Sequence, residues 1–490
     1  MRMTVEAARQ WVLTNLPLVV FSTFYFLTTV LVNILYAVGV GRDWPANFVP
    51  NFSWSHFTVE FGALYWILLL SPFVALPLIA IPTAKVARPG ADWLGSFLAE
   101  FQKLPYTVLC LLLYAYVSFE FWHDGAVAKL LGAGSGAMDQ VRERFALQAE
   151  IGFPTQVALL SLLQFFAIYA TVKAMRQRDW FWRFAALLQV IAMVTALILL
   201  NMKWPVILFI ITLGVVVFAT ARRFAILSTI AVMFCAVVVY LLISVALLRM
   251  GPPEPIPRPI PTPARAAVQS TIPAPTRSAR AEPATGNSET ASAVSVRQRA
   301  PKASVSVAAP APAALPYVVH LASAAKDNVG TLAIVLLNRM GDEVPFYYDT
   351  FTTKGPFCGT FFDWFFHAPG MTCRPSTYIY TEMFHDDFAG DGTAPAAFHI
   401  YEYAREGWPG VAVALVLGGI FLGAFMALRG PARESDIAAT VFVMGAPVAY
   451  TLSQLPLEGA IIYANGIVWW GGVLILNSLA LTAYRKRPSP

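Results

Sequence analysis

The chain has 490 residues, 57% of them hydrophobic and 13% charged, and a mean hydropathy of +0.61, which excludes a soluble globular protein. Its net charge of +6 sits mostly in the connections between apolar runs, and no basic patch interleaved with aromatics argues for nucleic acid. The class that remains is an all-α polytopic membrane protein.

Apolar runs able to cross a hydrocarbon core of about 30 Å follow one another along the chain. The first seven cover 16–38, 61–81, 104–121, 154–172, 184–200, 204–220 and 224–248, and three more cover 411–428, 437–452 and 460–483. About ten transmembrane helices are predicted, and the shortest of them could be re-entrant. The first is preceded by a short basic stretch with no convincing cleavage site, so it reads as an uncleaved anchor.

Orientation follows from Lys and Arg, which stay on the cytoplasmic side in short loops. Sixteen of them, Arg9, Lys103, Lys173, Arg176 and Arg429 included, fall on the side of the N-terminus, against five in the short loops opposite. Both termini are therefore expected in the cytoplasm, and the long segment 249–407 is expected as an extracytoplasmic loop between helices 7 and 8. Its own thirteen Lys and Arg do not count against this, because long loops translocate regardless of charge.

Four regions result: an N-terminal membrane bundle of about seven helices (1–250), a tether (251–316), an extracytoplasmic loop region (317–407) and about three C-terminal membrane helices (408–490). The tether carries fourteen of the thirty-five prolines and almost no large apolar residue, so it builds no core and reads as disordered or polyproline-like. From Tyr317 aromatics return in FYYDTF and GTFFDWFF, after a helix expected at about 325–340. An ordered, loop-rich segment beside a helix bundle is where a site is expected. Cys110 and Cys235 fall inside predicted helices, where a small apolar side chain is the plain reading. Cys358 and Cys373 lie in the outer segment, where an oxidising compartment would favour a disulfide, although spacing alone leaves the pairing open.

The familiar nucleotide, dinucleotide, zinc-protease and serine-hydrolase motifs are absent from the sequence. His320, His367, His385 and His399 lack metal-ligand spacing; His385-Asp386-Asp387 with Asp391 could hold a cation, but a solvated acidic loop is the simpler reading. What stands out is a set of cations beside apolar helices on the outer side: Arg142, Arg144, Lys203, Arg339, Lys354, Arg374 and Arg405. Each could be a snorkelling or solvated charge. As a set they suit a lipid diphosphate, whose oxygens a guanidinium grips in a bidentate fork. His399, Glu402, Arg405 and Glu406 crowd the edge of the next apolar run, where ionisable groups are usually kept for work.

The run GTAPAAFHIYEYAREGWPGVAVALVLGGIFLGAFMAL resembles the closing signature of Wzy-type oligosaccharide repeat-unit polymerases, the O-antigen and exopolysaccharide polymerases. There a Thr-Ala-Pro turn leads through aromatics to Gly-Trp-x-Gly and a membrane helix. LLNRMGDEVPFYYDTF, PSTYIY and NMKWPVILFIITLGVV resemble further steps of the same pattern in the same order. Where that pattern often places a Gly-Glu pair, Ile400-Tyr401 stands here and Glu402 comes one position later; the proline-rich tether is not part of the pattern.

The resemblance implies a GT-C-like glycosyltransferase in a bacterial cytoplasmic (inner) membrane. It would transfer a polymer from undecaprenyl diphosphate to the terminal sugar of another lipid-linked repeat unit, without cofactor or metal. Its partners would be lipid-linked oligosaccharides, membrane lipids, a chain-length regulator and a flippase. On this reading Arg339, Lys203, Arg142, Lys354 and Arg374 hold the diphosphate and His399 or Glu402 is the base. Tyr347, Tyr348 and Trp364 offer faces to sugars, each having a plainer reading as core or interfacial belt. The open alternatives are a polysaccharide ligase, a transporter of lipid-linked sugars and an assembly protein of polysaccharide export.

Overall fold

The structure is a computed structural model, which describes residues 5–47, 49, 52–59, 61–125, 151–177, 179–199, 203–221, 225–248, 340–356, 375–384, 393–463 and 466–485. The described chain is all-helical. Contacts group 1–253 with 330–490 in one unit and place 254–329, which holds most of the proline-rich segment, in another; the second unit lies outside the described residues.

In chain order the main helices are α1 (Val5–Thr14), α2 (Leu16–Ala37, with a π turn at Phe26–Val30), α3 (Ala63–Val86), α4 (Arg88–Phe97), α5 (Lys103–His123), α6 (Phe153–Arg176), α7 (Trp180–Leu199), α8 (Lys203–Thr220) and α9 (Ala225–Leu248). After the long connection come α10 (Glu343–Lys354), α11 (Pro375–Phe384), α12 (Phe398–Glu406), α13 (Trp408–Ala427), α14 (Asp436–Leu452) and α15 (Ile467–Arg485). Among the described residues seven candidate spans are long and apolar enough to cross a membrane, and Pro205–Thr220, Ala225–Val238 and Asp436–Leu452 are shorter apolar helices.

Close packing of α3 on α13 forms the spine that carries the site. Gly419 and Gly423 lie one turn apart, and a Cβ on them would stand 2.7 Å from Ile79 and 2.6 Å from the Ala80 carbonyl. Small residues four apart let helix backbones approach where apolar side chains gain nothing over lipid. α3 keeps Pro72, Pro77 and Pro82 in its interior, which a membrane helix tolerates when neighbouring groups satisfy the freed carbonyls.

Helix ends sort into two sets. At one end Lys173 reaches Glu100 at 3.1 Å and Asp436 at 3.7 Å, Arg176 reaches Asp436 at 3.3 Å, Arg9 donates to the Ala221 carbonyl at 2.7 Å and Arg429 donates to Gln10 at 2.8 Å. Glu100 caps α14 by accepting from the Asp436 and Ile437 amides at 2.8 and 3.1 Å, the interaction a helix N-terminus favours. At the other end the chain that resumes at Met340 docks on α2. There Asn33 donates to the Gly341 carbonyl at 3.0 Å, and Asp349 of α10 accepts from the Thr58 and Val59 amides at 2.7 and 2.8 Å.

The loop region was expected to end at 407 and to pack against the helix bundle. Its last helix, α12, folds back along the first half of α13. Gly407 makes the turn at φ 70°, a left-handed conformation that costs glycine little. A Cβ on Gly410 would stand 2.5 Å from the Glu402 carbonyl, and one on Gly418 would stand 2.7 Å from the Phe398 ring. At about 1.5 Å per residue, Phe398 therefore lies roughly 15 Å along α13. Hydropathy could not show this, because FHIYEYARE is too polar to read as a membrane segment and is accommodated only because protein surrounds it.

Candidate functional site

Every residue of α12 from Phe398 to Arg405 is buried, so its polar groups must find partners inside the protein. His399 is fully buried, with Nε2 lying 3.2 Å from the Leu68 carbonyl and 3.2 Å from the Tyr25 hydroxyl. A carbonyl only accepts, so Nε2 carries the proton. Tyr25 in turn donates to the Leu69 carbonyl at 2.9 Å, and the three groups tie the deep end of α12 to α2 and α3. Phe398 completes this end, edge-on to Phe21 with centroids 5.8 Å apart.

The shallow end of α12 carries the charged centre. Arg405 donates to Glu402 at 2.9 Å and to Glu458, in the connection after α14, at 2.6 Å. All three are buried, with exposures of 7%, 2% and 7% for Arg405, Glu402 and Glu458. The guanidinium also lies 5.2 Å over the Tyr401 ring. Tyr401 bonds the Ser376 hydroxyl of α11, and Tyr403 bonds Thr352 of α10 at 2.7 Å, so α10 and α11 both hold α12.

One cation faces two carboxylates. Burial pushes the Glu402 carboxyl up to about 7, Glu458 adding to the effect and Arg405 opposing it. The Glu402 carboxyl is thereby held well above the ordinary carboxylate range. Oε2 of Glu402 and Nε of Arg405 have no hydrogen-bond partner among the described residues. A carboxyl that titrates near 7 is matched to general acid–base work, and an arginine bridging two acids fixes where it points.

Asp342, just before α10, is also buried, and burial pushes its carboxyl up to about 7.

The other expected site residues separate into three groups. Tyr347 is buried and donates to the Ala394 carbonyl at 2.8 Å, which spends its hydroxyl on tying α10 to the chain before α12. Tyr348 lies between Tyr65 and Tyr403, at 5.2 and 5.9 Å between centroids. Lys354 is exposed at the end of α10, bonded to Glu382 at 3.0 Å and to the Tyr378 hydroxyl. Arg142, Arg339, Trp364 and Arg374 lie outside the described residues, as do the side chain of Lys203, the pair Cys358 and Cys373, His385 to Asp391 and the helix expected at 325–340.

Two members of the cluster had no assigned role. Arg405 stood out in sequence as one cation among several and as a neighbour of His399, Glu402 and Glu406 at the edge of an apolar run, with no part given to it in the chemistry. Glu458, in QLPLEGAII, carried the same signal as Glu402, an acid at the edge of an apolar run. Among the described residues no group of three or more His, Cys, Asp and Glu could hold a metal ion. The chain matches no protein-family model, no curated protein and no solved structure.

Proposed function

We propose that the protein polymerises lipid-diphosphate-linked oligosaccharide repeat units at the outer face of the cytoplasmic membrane. One observation supports this most: the segment that resembles the closing signature of Wzy-type polymerases forms α12, folded back on α13, which brings Glu402 and Arg405 to Glu458 in a buried cluster. On this reading ten helices cross the membrane. The end rich in Lys and Arg around Lys173 and Arg429 is cytoplasmic, and α10, α11 and Glu458 lie outside.

The reaction breaks the bond between the anomeric carbon and the diphosphate oxygen, and the electron pair leaves with the lipid diphosphate. The hydroxyl of the acceptor sugar forms the new glycosidic bond and gives its proton to Glu402. Arg405 and Glu458 position that carboxyl and hold it near neutrality. His399 anchors α12 through its Nε2–H, held by Leu68 and Tyr25, and its Nδ1, which has no partner among the described residues, keeps it the alternative base to Glu402. Lys354, with Arg142, Lys203, Arg339 and Arg374, supplies the positive charge that stabilises the departing diphosphate.

A second reading draws on the same cluster, because a protonatable acid buried among apolar helices also suits proton-coupled transport. The lipid-linked saccharides of a strain lacking the gene separate the readings. Polymerisation predicts single repeat units accumulating on the outer leaflet. Accumulation on the inner leaflet would favour transport, and full-length polymer left on the lipid would favour a ligase.

A further inference from the structure

The outer ends of α2 and α3 and the connection between them enclose a cavity of about 430 Å³, within the roughly 300–1,000 Å³ of small-molecule sites. Tyr36, Trp54, Tyr65 and Trp66 form much of its wall, Asn33 contributes from α2, and Pro345 of α10 closes one side. The rings are held against one another: Trp54 lies edge-on to Tyr36 at 5.1 Å, and its indole N–H donates to the Arg42 carbonyl at 2.7 Å.

The polar groups of the cavity are unequally committed. Asn33 donates to the carbonyls of Thr29 and Gly341 and accepts from the Tyr65 hydroxyl, so its bonding capacity is largely spent. Arg42 is different. Its Nε donates to the Tyr36 carbonyl at 2.8 Å, which fixes the stem, while its two terminal nitrogens make no hydrogen bond or ion pair among the described residues. An aromatic wall with one open guanidinium fork selects a ligand with a flat apolar face and an adjacent pair of anionic oxygens.

We propose that this cavity binds an anionic pyranose, with the sugar's C–H face against the aromatic wall and its carboxylate or phosphate forked by Arg42. A pyranose carries C–H groups on its faces and hydroxyls on its rim, so it can bury the first on rings and leave the second to water. Guanidinium matches either anion with two parallel bonds. The glycosyl-transfer reading underlies the natural identity of the ligand, a sugar of the lipid-linked repeat unit. Packed rings join the cavity wall to α12: Tyr65 contacts Tyr348 at 5.2 Å and Tyr348 stacks on Tyr403 at 5.9 Å, one residue along the helix from Glu402.

The test titrates the purified full-length protein in nanodiscs with glucose 1-phosphate, glucuronic acid, glucose and inorganic phosphate. At least one of the anionic sugars is expected to bind ten- to a hundredfold more tightly than glucose or phosphate, the range for a charge-assisted contact. Arg42→Gln should bring it to within about twofold of glucose, and Arg42→Lys should fall between. Trp54→Ala should weaken all three sugars, whereas Trp54→Phe keeps a ring and should retain them. Preference for glucose 1-phosphate assigns the anion to the lipid linkage, and preference for glucuronic acid assigns it to an acidic sugar within the repeat unit. Glucose binding as tightly as both anionic sugars, or Arg42→Gln leaving the preference intact in a folded protein, overturns the proposal. The lipid analysis of the deletion strain is independent of this outcome. If that strain accumulates no intermediate while Arg42 still selects anionic sugars, the polymerase reading falls and the site stands; the converse leaves the reading without this site.

Discussion

At the scale of single residues, Arg405 carries the greatest structural load. Removing one partner of a buried ion pair leaves an uncompensated charge and costs about 3–5 kcal/mol, and Arg405 has two such partners. Glu402 affects stability in the opposite direction. Burial pushes its carboxyl from an ordinary 4.5 up to about 7, so between those values the folded state binds more protons than the unfolded one. Stability therefore falls as pH rises through this window. Thermal melts of the wild type should move down from pH 5 to pH 8, and Glu402→Gln should flatten that slope while abolishing activity. Glu458→Gln removes the neighbouring negative charge, so the rising limb of the pH–rate profile should shift to lower pH. An unmoved limb in a folded Glu458→Gln protein would detach Glu458 from the acid–base group.

At the scale of elements, the packing of α13 on α3 depends on its glycines. A Cβ at Gly423 meets the Ala80 carbonyl at 2.6 Å, and backbone cannot step aside as a side chain can; at Gly472 of α15 a Cβ meets nothing within 4 Å. Overpacking typically costs 1–3 kcal/mol. Gly423→Ala should therefore lower the melting temperature in detergent, and Gly472→Ala should leave it unchanged or raise it slightly, since alanine is the better helix former. Equal melting of the two variants would show that α3 and α13 have slack between them. The apolar runs were legible because length and hydropathy alone define them. The burial of α12 was not, because hydropathy reports the average polarity of a segment, whereas its fate is decided by partners distant in sequence, Tyr25, Leu68 and Glu458. Likewise Tyr347 was legible as an aromatic near a site, but not as a hydroxyl committed to Ala394.

At the scale of the whole molecule, the two sets of helix ends have different jobs. One is closed by ion pairs and caps around Lys173, Glu100 and Asp436, while the other gathers the aromatic cavity, α10, α11 and the Arg405 cluster. The charge census put Arg9, Lys173, Arg176 and Arg429 on one side, and contacts bring them to one end of the helices; the census was silent on which residues meet at the other end. The central claim is that the outer end makes glycosidic bonds. The most direct measurement supplies purified protein in liposomes with lipid-diphosphate-linked repeat units and follows saccharide length and free lipid diphosphate together. The account predicts a ladder of polymer lengths, one lipid diphosphate released per bond formed, and loss of both with Glu402→Gln. Repeat units carried across the bilayer with no increase in length and no lipid diphosphate released would contradict it.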